Sequence, residues 1–421
     1  MRIRSWQAIP FLVAASFALV LAELPRGDWL TPAALSLASG VTAFSLMGAA
    51  ALLGGRWRFV EAGFGGLDRV YRVHKWLGVW ALGFASVHLV FKAGMEGWDT
   101  ASILSLPPYL TRLVRQLSFV ALMLIVMLAL NRKIPYSTWR WWHKLSGPLF
   151  LIVILHWLSF KSPIALADPA GAWLAIIAAL GVTAAAYKLL LYPLLSRHAE
   201  YRVTAVSAGA AAVHLELAPV DRPIAFTPGQ FAFLSMKEDG LREPHPFTIA
   251  SGNDASGSVH LVIRSLGDYT QKLLERTTVG MHAELYAPWG QFKRRATAKK
   301  EVWIGGGVGI SPFIAWLADS AAGGFDKVSL FYFFTPGREF PPVDVLDGMA
   351  RQRGAEFVPV SAGPADPVFA GRFEEIVRRA GAESVEISFC GPNGLLNVIR
   401  AGMREHGIPP ANLRHEYFEF R

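Results

Sequence analysis

Long apolar segments fill the first half of the chain, and short alternating segments fill the second half. Apolar segments precede residue 196 at about 8–23, 33–54, 73–91, 113–130, 145–160 and 172–194. Each approaches the roughly 17–25 residues that cross a hydrocarbon core of about 30 Å, although the first and fifth are short. The pattern predicts a six-helix transmembrane bundle over residues 1–196. An alternative for the first segment is a signal peptide, with Arg2, Arg4 and a weak cleavage site at Ala22.

From residue 197 onwards the apolar residues alternate with polar ones. Strand patterns at 201–206, 212–217, 231–236, 259–264 and 282–287 predict an antiparallel β-barrel domain over 197–299. After residue 300, strand patterns at 301–305, 328–334, 356–360 and 385–390 alternate with helix patterns at 312–320, 343–352, 372–380 and 394–405. This alternation predicts a multi-domain membrane protein whose last domain, 300–421, is an α/β parallel sheet of the nucleotide-binding kind.

Composition narrows the chemistry. The 421 residues are 52% hydrophobic and 17% charged, which argues against a single soluble domain. The single cysteine, Cys390, excludes an internal disulfide framework, a Cys₄ zinc site and a cysteine-ligated iron–sulfur cluster. The net charge of +9 fits a membrane surface, because no nucleic-acid-binding module accompanies the basic residues.

The basic residues of the first half also predict an orientation. One side of the bundle receives Arg2, Arg4, Arg56, Arg58, Arg69, Arg72, Lys75, Arg132, Lys133, Arg140, Lys144 and Arg197, and the other receives Arg26, Lys92, Arg112, Arg115 and Lys161. Because cytoplasmic loops carry the excess of Lys and Arg, both termini are predicted to be cytoplasmic.

Four histidines fall within the apolar half: His74 and His88 in the third segment, and His143 and His156 in the fifth, which extends backward over residue 143 if Trp139-Arg140-Trp141-Trp142 forms an interfacial anchor. Ionisable residues inside membrane segments are rare and are functional candidates by default. Both segments run in the same direction, so His74 and His143 share the inner depth and His88 and His156 the outer depth. Such pairs can hold iron porphyrins from both sides, which predicts two stacked bis-histidine haems.

The spacing fits one helix better than the other. His74 and His88 are 14 residues apart and return to within about 40° of each other, whereas the 13 residues from His143 to His156 leave about 140°. We expect Gly147-Pro148 to rotate or kink the fifth helix in compensation. Two alternatives remain: hydrogen-bonded helix–helix histidines, and zinc, which would need further ligands.

The tetrapeptide His245-Pro246-Phe247-Thr248 resembles the flavin motif of membrane ferric reductases and NADPH oxidases, and bacterial NADPH oxidases without regulatory extensions are the nearest likeness. The resemblance implies six spans, two b haems, an FAD barrel and a ferredoxin-reductase-like NAD(P)H domain. It implies that Phe247 stacks on the flavin, that Thr248 lies near its reactive nitrogen, and that His245 lies towards the ribityl or phosphate. Gly267-Asp268-Tyr269-Thr270 opens a predicted helix over 268–276 whose N-terminus suits the FAD diphosphate, with Arg264 adding charge.

The run Gly305-Gly306-Gly307-Val308-Gly309-Ile310-Ser311-Pro312 follows a predicted strand and precedes a helix, as in the family's nucleotide loop. Cys390-Gly391-Pro392 resembles the family motif that places a cysteine beside the nicotinamide; a buried structural cysteine is the alternative. Family members end on an aromatic residue that covers the flavin, for which Phe420 is the first candidate and Phe418 the second. Arg338 follows the second strand of the domain, where it would favour the 2′-phosphate of NADPH over NADH.

The resemblance implies an enzyme of the inner (plasma) membrane of a bacterium, with its C-terminal domains in the cytoplasm. NAD(P)H would reduce FAD, and electrons would pass through the inner and outer haems to an external acceptor. We expect O₂, giving superoxide; a ferric chelate is the alternative, and Arg112 and Arg115 could attract either an anionic acceptor or haem propionates. Two further alternatives are an electron-carrier subunit for an outside enzyme and a haem-sensing scaffold. The sequence shows no obligate protein partner.

Overall fold

A computed structural model describes residues 7–295 and 299–416. The chain divides into two compact units, one that ends at Ser196 and one that begins at Arg197. The first unit is built from helices, and the second from strands and helices.

The helices of the first unit cover all six predicted apolar segments. They are α1 (Ala8–Glu23), α2 (Pro32–Gly54), α3 (Arg58–Phe64), α4 (Leu67–Val90), α5 (Pro108–Leu130), α6 (Tyr136–His143), α7 (Ser146–Ser159), α8 (Pro169–Ala186) and α9 (Tyr192–Leu195). A π-helical turn, Tyr187–Leu191, joins α8 to α9.

Helix α2 is the central helix of this unit and packs against α1, α4 and α8. Its hydroxyl side chains are buried, including Ser39 and Thr42. The Ser45 hydroxyl accepts hydrogen bonds from Ser16 at 3.0 Å and from the Trp173 indole at 2.8 Å. Small residues let helix backbones approach closely in a bundle, so α2 can contact several neighbours at once.

Within the described residues, three stretches are long and apolar enough to cross a membrane: Pro32–Gly54, Pro108–Leu130 and Pro169–Leu195. Helix α1 is apolar but has 16 residues, and α7 has 14. Helix α4 has 24 residues, but its first half carries Arg69, Arg72 and Lys75, which make it less apolar, and two histidines lie along it. The prediction of a helical membrane region is therefore confirmed, whereas the number of crossings stays a prediction.

The fifth predicted segment is divided in two. Helix α6 ends at His143 and α7 begins at Ser146, so His143 and His156 lie on different helices. Pro148 accounts for the break, because in one continuous helix its ring would meet the carbonyl four residues earlier and could not donate to it. The break lies at Lys144 and Leu145, just before the Gly147-Pro148 pair at which the sequence predicts a rotation or kink.

The second unit begins with a nearly closed antiparallel barrel. Its elements are β1 (His198–Ala208), β2 (Ala212–Pro219), β3 (Phe231–Met236), β4 (His245–Thr248), β5 (Val259–Arg264), α10 (Asp268–Arg276) and β6 (His282–Trp289). The strand order is β4-β3-β6-β1-β2-β5, and a bridge between Ile249 and Leu261 brings the two edges together. Inward-facing residues such as Val203, Leu215 and Leu285 are fully buried in the barrel core.

A parallel sheet follows. Its elements are β7 (Lys300–Gly306), α11 (Ser311–Ala318), β8 (Val328–Phe333), α12 (Val343–Gln352), β9 (Glu356–Val360), α13 (Pro367–Ala380), β10 (Val385–Cys390), α14 (Asn393–Glu405) and β11 (Leu413–His415). The order is β11-β10-β7-β8-β9. The chain moves outward from β7 to β9 and then returns to the other side of β7, which makes the carboxyl ends of β7 and β10 a topological switch point, where open α/β sheets bind ligands.

The barrel and the parallel sheet are joined by a buried aromatic contact. The Trp316 indole of α11 donates a hydrogen bond of 3.0 Å to the Pro228 carbonyl ahead of β3, and its ring stacks on Phe292. The predicted barrel and parallel-sheet architecture of this half is confirmed.

Candidate functional site

The four histidines of the first unit form two pairs. The ring centres of His74 and His143 are 5.8 Å apart, and those of His88 and His156 are 6.1 Å apart. The interplanar angle is 73° in both pairs. Each predicted inner or outer couple thus lies side by side, although the fifth segment is broken between its two histidines.

Helix α2 fixes both histidines of α4. The Nδ1 atom of His74 lies 2.8 Å from the Ala50 carbonyl oxygen, and Nδ1 of His88 lies 2.9 Å from the Ser36 carbonyl oxygen. Because a carbonyl oxygen only accepts, each Nδ1 carries the proton and each Nε2 keeps its lone pair. A backbone acceptor on one ring nitrogen is the usual way in which a metal-binding histidine is oriented.

A glycine lies beside each of these rings. A Cβ added to Gly40 would lie 2.8 Å from Nδ1 of His88, and one added to Gly54 would lie 3.5 Å from the His74 ring. The carbonyl acceptors, the glycines and the histidines all recur at 14 residues, which is about 21 Å of helix rise. The sequence reasoning missed this repeat on α2, although the matching interval between Gly40 and Gly54 was available as a signal.

The opposite histidines are held by aromatic neighbours. The His143 ring stacks on Trp139 at 5.2 Å between centres, and the His156 ring lies 5.2 Å from that of Phe160. Within the described residues, Nδ1 of both His143 and His156 is buried without a hydrogen-bond partner. These rings are therefore packed in place, whereas the α4 rings are also hydrogen-bonded.

The paired rings fit axial ligation of one metal ion per pair. Two imidazoles that bind an ion from opposite sides, with metal–nitrogen bonds of about 2 Å, place their ring centres about 6 Å apart. The observed separations of 5.8 and 6.1 Å agree with this, and Nε2 of each α4 histidine is the unprotonated nitrogen. The donor set of two neutral histidines per pair is one that haem iron accepts.

Basic side chains lie near the outer pair and on the helix that carries His143. Lys188 lies 3.4 Å above the Tyr192 ring, within electrostatic range of Arg56 and of Arg140, and the last of these shares α6 with His143. Arg115, at the start of α5, lies within electrostatic range of His156. Arg140 and Arg115 suit the anionic carboxylates of a porphyrin.

In the second unit, His245-Pro246-Phe247-Thr248 forms strand β4. The alternation of apolar and polar residues does not predict this strand. It pairs with β3, so that Thr248 lies opposite Phe231 and His245 opposite Leu234. Thr248 is buried, whereas the other three residues of the motif are partly exposed. The strand places the motif at one edge of the barrel.

The structure brings this motif to the Gly267–Thr270 turn. The rings of His245 and Tyr269 stack with centres 3.7 Å apart and an interplanar angle of 17°. The Tyr269 hydroxyl donates to the Leu241 carbonyl at 3.1 Å, and burial, together with the Glu243 carboxylate, raises the pKa of Tyr269. The phenol therefore stays a neutral donor, and the stack fixes His245 against α10.

The start of α10 is organised by Thr270. Its hydroxyl accepts hydrogen bonds from the amides of Leu266 at 2.9 Å and Gly267 at 3.1 Å. The following first-turn amides of Asp268 and Tyr269 lie at the helix N-terminus, where backbone N–H groups point out of the helix. This helix end suits an anionic group such as the FAD diphosphate, which the sequence predicts here. The Thr270 side chain holds the preceding loop through its hydrogen bonds to Leu266 and Gly267.

The glycine-rich loop meets Cys390-Gly391-Pro392 at the switch point between β7 and β10. A Cβ on Gly309 would lie 2.2 Å from the Cys390 carbonyl oxygen, and one on Gly306 would lie 2.8 Å from Pro392. Gly307 has a φ of +57°, which favours glycine. Only residues without a Cβ let these two segments approach so closely.

The remaining loop residues have different surroundings. The Ser311 hydroxyl donates to the Val308 carbonyl at 2.7 Å, and Ser311 and Pro312 are buried, so both shape the loop from behind. The Arg264 guanidinium lies 3.7 Å from where a Cβ of Gly307 would be, which places it between the barrel and the loop. Arg338 lies in the exposed turn after β8.

Cys390 ends β10 with no exposed surface. Burial raises the pKa of its thiol, and the nearby Glu416 carboxylate adds to the effect. The thiol is therefore protonated at neutral pH. Glu416 is itself buried and close to Gly290. The sequence analysis does not identify it, because no local motif marks it and only the placement of the preceding strand β11 brings it near Cys390. The candidates Phe418 and Phe420 lie outside the described residues.

Comparison with known proteins adds two family matches. The family model of a ferric reductase like transmembrane component matches residues 39–188, and that of an FAD-binding domain matches residues 200–308. The first range contains all four paired histidines, and the second contains His245-Pro246-Phe247-Thr248 and the first half of the glycine-rich run.

Curated relatives align with part of the chain. The toluate 1,2-dioxygenase electron transfer component of Pseudomonas putida is 28% identical over 204 residues, which are 46% of this chain and 59% of that protein. The ferredoxin–NAD(+) reductase component of the alkene monooxygenase system of Xanthobacter autotrophicus is 33% identical over 147 residues, 34% of this chain and 44% of that protein. The chain thus spans about half the length of these relatives.

Among solved structures, the ferredoxin reductase in carbazole 1,9a-dioxygenase is similar, with 22% identity and a TM-score of 0.44 over 53% of this chain and 70% of that one.

The second unit carries flavin-dependent oxidoreductase domains. A ferric reductase-like transmembrane component followed by an FAD-binding domain is the architecture of the ferric reductase and NADPH oxidase superfamily, and this chain has that architecture. The resemblance inferred from the sequence motifs is confirmed at this level.

Proposed function

We propose that this protein is an integral membrane oxidoreductase that transfers electrons from NAD(P)H, by way of FAD and two b-type haems, to an acceptor on the far side of the membrane. The observation that carries the proposal is the pair of histidine couples, with ring centres 5.8 and 6.1 Å apart, in the same chain as flavin-dependent oxidoreductase domains. A flavin reductase alone would not need paired histidines in apolar helices.

His74 and His143 would hold the inner haem, and His88 and His156 the outer one. When bound, six-coordinate haem supplies one-electron redox chemistry without an open metal site. The chain's own part is to orient the rings. The Ala50 and Ser36 carbonyls hold the protons on Nδ1 and so direct Nε2 towards the iron. Arg140, on the helix of His143, and Arg115, near His156, would favour the propionates.

In the second unit, Phe247 would cover the flavin ring and Thr248 would reach its reactive edge, while the start of α10 and Arg264 would bind the diphosphate. The loop from Gly305 to Gly309 and the Cys390-Gly391-Pro392 segment would bind the nicotinamide nucleotide. Arg338, exposed after β8, supports NADPH over NADH. Phe420, or Phe418, would cover the flavin before the nucleotide docks.

We further propose O₂ as the acceptor, with superoxide as the product, and the plasma membrane of a bacterium as the location, with the second unit in the cytoplasm. The excess of basic residues in alternate loops supports this orientation.

Anaerobic reduction tests the electron path. NADPH added to purified protein loaded with FAD and haem is expected to shift the haem Soret band, and omission of FAD should abolish the shift. Gly309→Ala should block reduction by NADPH while dithionite still reduces the haems, because the added Cβ meets the Cys390 backbone. Gly394→Ala is the matched control, since nothing lies within 4 Å of its Cβ position. Haem reduction without FAD would contradict the proposed path, and no reduction at all would favour the scaffold.

The acceptor needs its own assay. Superoxide formed with NADPH should reduce cytochrome c in a reaction that superoxide dismutase inhibits. Rapid reduction of a ferric chelate without a superoxide signal would instead identify a ferric reductase.

A further inference from the structure

Three metal-ligand side chains meet on the outer face of the barrel, on strands β2 and β5. His214 and Glu216 lie two residues apart on β2, and His260 lies on the neighbouring strand β5. Their neighbours Val213, Leu215, Leu217, Val259 and Leu261 face the barrel core and are buried. Since side chains alternate along a strand, the three polar residues share the opposite face.

The strand register places them together. Glu216 pairs directly with His260 across the ladder, and His214 pairs with Val262, two residues further along β5. The ring centres of His214 and His260 are 5.2 Å apart in an edge-to-face arrangement. One ligand atom from each of the three residues lies within 4.8 Å of the other two, and no other such group of three His, Cys, Asp or Glu occurs within residues 7–295 and 299–416.

This donor set has a chemical preference. Two imidazoles and one carboxylate bind zinc-class divalent ions, and a tetrahedral ion with bonds of about 2.0 Å needs ligand atoms roughly 3.3 Å apart. Small side-chain rotations from the observed separations reach that value. Burial lowers the pKa of His214, and His260 adds to this while Glu216 opposes it. The neutral imidazole is the form that binds a metal.

A second His–Glu pair on the same barrel shows what is unusual here. His282 on β6 and Glu200 on β1 are joined at 2.7 Å, and Lys237 lies 3.2 Å from the same carboxylate. There the third partner is a cation, so the cluster is an ordinary ionic network. In the cluster on β2 and β5 the third residue is a second histidine and not a lysine. A neutral imidazole can bind a metal ion, whereas the lysine ammonium group cannot.

We propose that His214, Glu216 and His260 form a binding site for a zinc-class divalent metal ion, with one coordination position left to water. The ion would cross-link β2 to β5 through their side chains. Because Val262, which pairs with His214 across the ladder, packs into the core that joins the barrel to the parallel sheet, the bound ion would stiffen the barrel next to that junction.

Zinc content measured on the full chain tests the site. Holoprotein is dialysed against buffered free Zn²⁺, and bound zinc is counted by mass spectrometry alongside haem iron. Wild type should retain one more zinc per chain than His214→Ala or His260→Ala, and Glu216→Gln should bind that zinc more weakly. His282→Ala is the matched control and should keep the wild-type count.

X-ray absorption at the zinc edge gives a second readout that haem iron does not obscure. The spectrum of wild type should contain two imidazole ligands, and zinc should raise the melting temperature of wild type but not that of His214→Ala. Equal zinc content in wild type, His214→Ala and His260→Ala, with haem and FAD content unchanged in all three, would overturn the proposal. The count does not depend on NADPH or electron transfer, so its failure would be distinct from failure of the proposed function.

Discussion

The inner and outer histidine pairs have nearly the same ring geometry, but they differ in their contacts with α2. The interplanar angle is 73° in each, and the ring separations differ by 0.3 Å, being 5.8 Å inside and 6.1 Å outside. On α2, however, the Cβ position of Gly40 is 2.8 Å from the outer ring, whereas that of Gly54 is 3.5 Å from the inner ring. The outer pocket is tighter.

The outer pocket also carries an additional hydroxyl. Ser36 accepts from His88 through its carbonyl, and its hydroxyl donates to the Phe91 carbonyl at 2.7 Å. The inner counterpart is Ala50, which offers a carbonyl alone. Two pockets built from one repeat can therefore hold their rings with the same geometry and still differ in tolerance. Variants of the two pockets can test that difference.

The largest effect should come from removing a ring. His88→Ala or His156→Ala should lose the outer haem, and His74→Ala or His143→Ala the inner one, because a single remaining imidazole leaves one axial position empty. Haem content per FAD, measured by the pyridine haemochrome method, should fall by half in each case. Full loading of His282→Ala, whose ring lies in the second unit, is the expected control. Retention of both low-spin haems in His88→Ala would contradict the assignment of His88 and His156 to one haem.

Gly40→Ala compared with Gly54→Ala should give the next largest effect. The new methyl at residue 40 would overlap His88 and force the ring off the Ser36 carbonyl, at a cost of about 1–3 kcal/mol for overpacking. At residue 54 the same methyl makes an ordinary contact. Electron paramagnetic resonance of the oxidised protein should show a changed outer-haem signal in Gly40→Ala and a wild-type spectrum in Gly54→Ala.

Redox titration provides the independent check on these two variants. The midpoint potential of one haem should shift in Gly40→Ala, while both potentials stay unchanged in Gly54→Ala. Equal shifts in the two variants would show that the two pockets are equally tight and would contradict the inference that the outer pocket is tighter.

The histidine pairs were predictable from the sequence because ionisable residues are rare in apolar segments and because the direction of each segment fixes the depth of its residues. The supports of the rings were not predictable in the same way. Gly40, Gly54 and the carbonyls of Ser36 and Ala50 are ordinary members of a small-residue helix until α4 is placed against them. The break before Ser146 lies just ahead of Gly147-Pro148, where the sequence predicts a rotation or kink, but the pattern does not give the exact residues at which the helix ends and restarts.

In the second unit, the motifs fixed the strand–loop–helix setting of the glycine-rich loop, since glycine and proline act locally. They did not show that Gly309 packs on the Cys390 carbonyl or that His245 stacks on Tyr269. Such contacts join residues far apart in sequence, so they depend on the register of the sheets. The buried position of Glu416 likewise follows from the placement of the last strand.

The smallest effect concerns the hydroxyl that distinguishes the two pockets. Ser36→Ala keeps the carbonyl that orients His88 but removes the donor to Phe91, whose carbonyl lies at the unpaired end of α4. We expect a loss of about 1 kcal/mol in the free energy of unfolding, the usual worth of one such hydrogen bond. Thermal unfolding monitored through release of haem should detect it. Ala50→Ser places the same hydroxyl at the inner pocket, where α4 continues past His74 and its carbonyls are already bonded within the helix. That variant should therefore gain no stability, and a gain equal to the loss in Ser36→Ala would mean that the hydroxyl acts on the histidine ring and not on the end of α4.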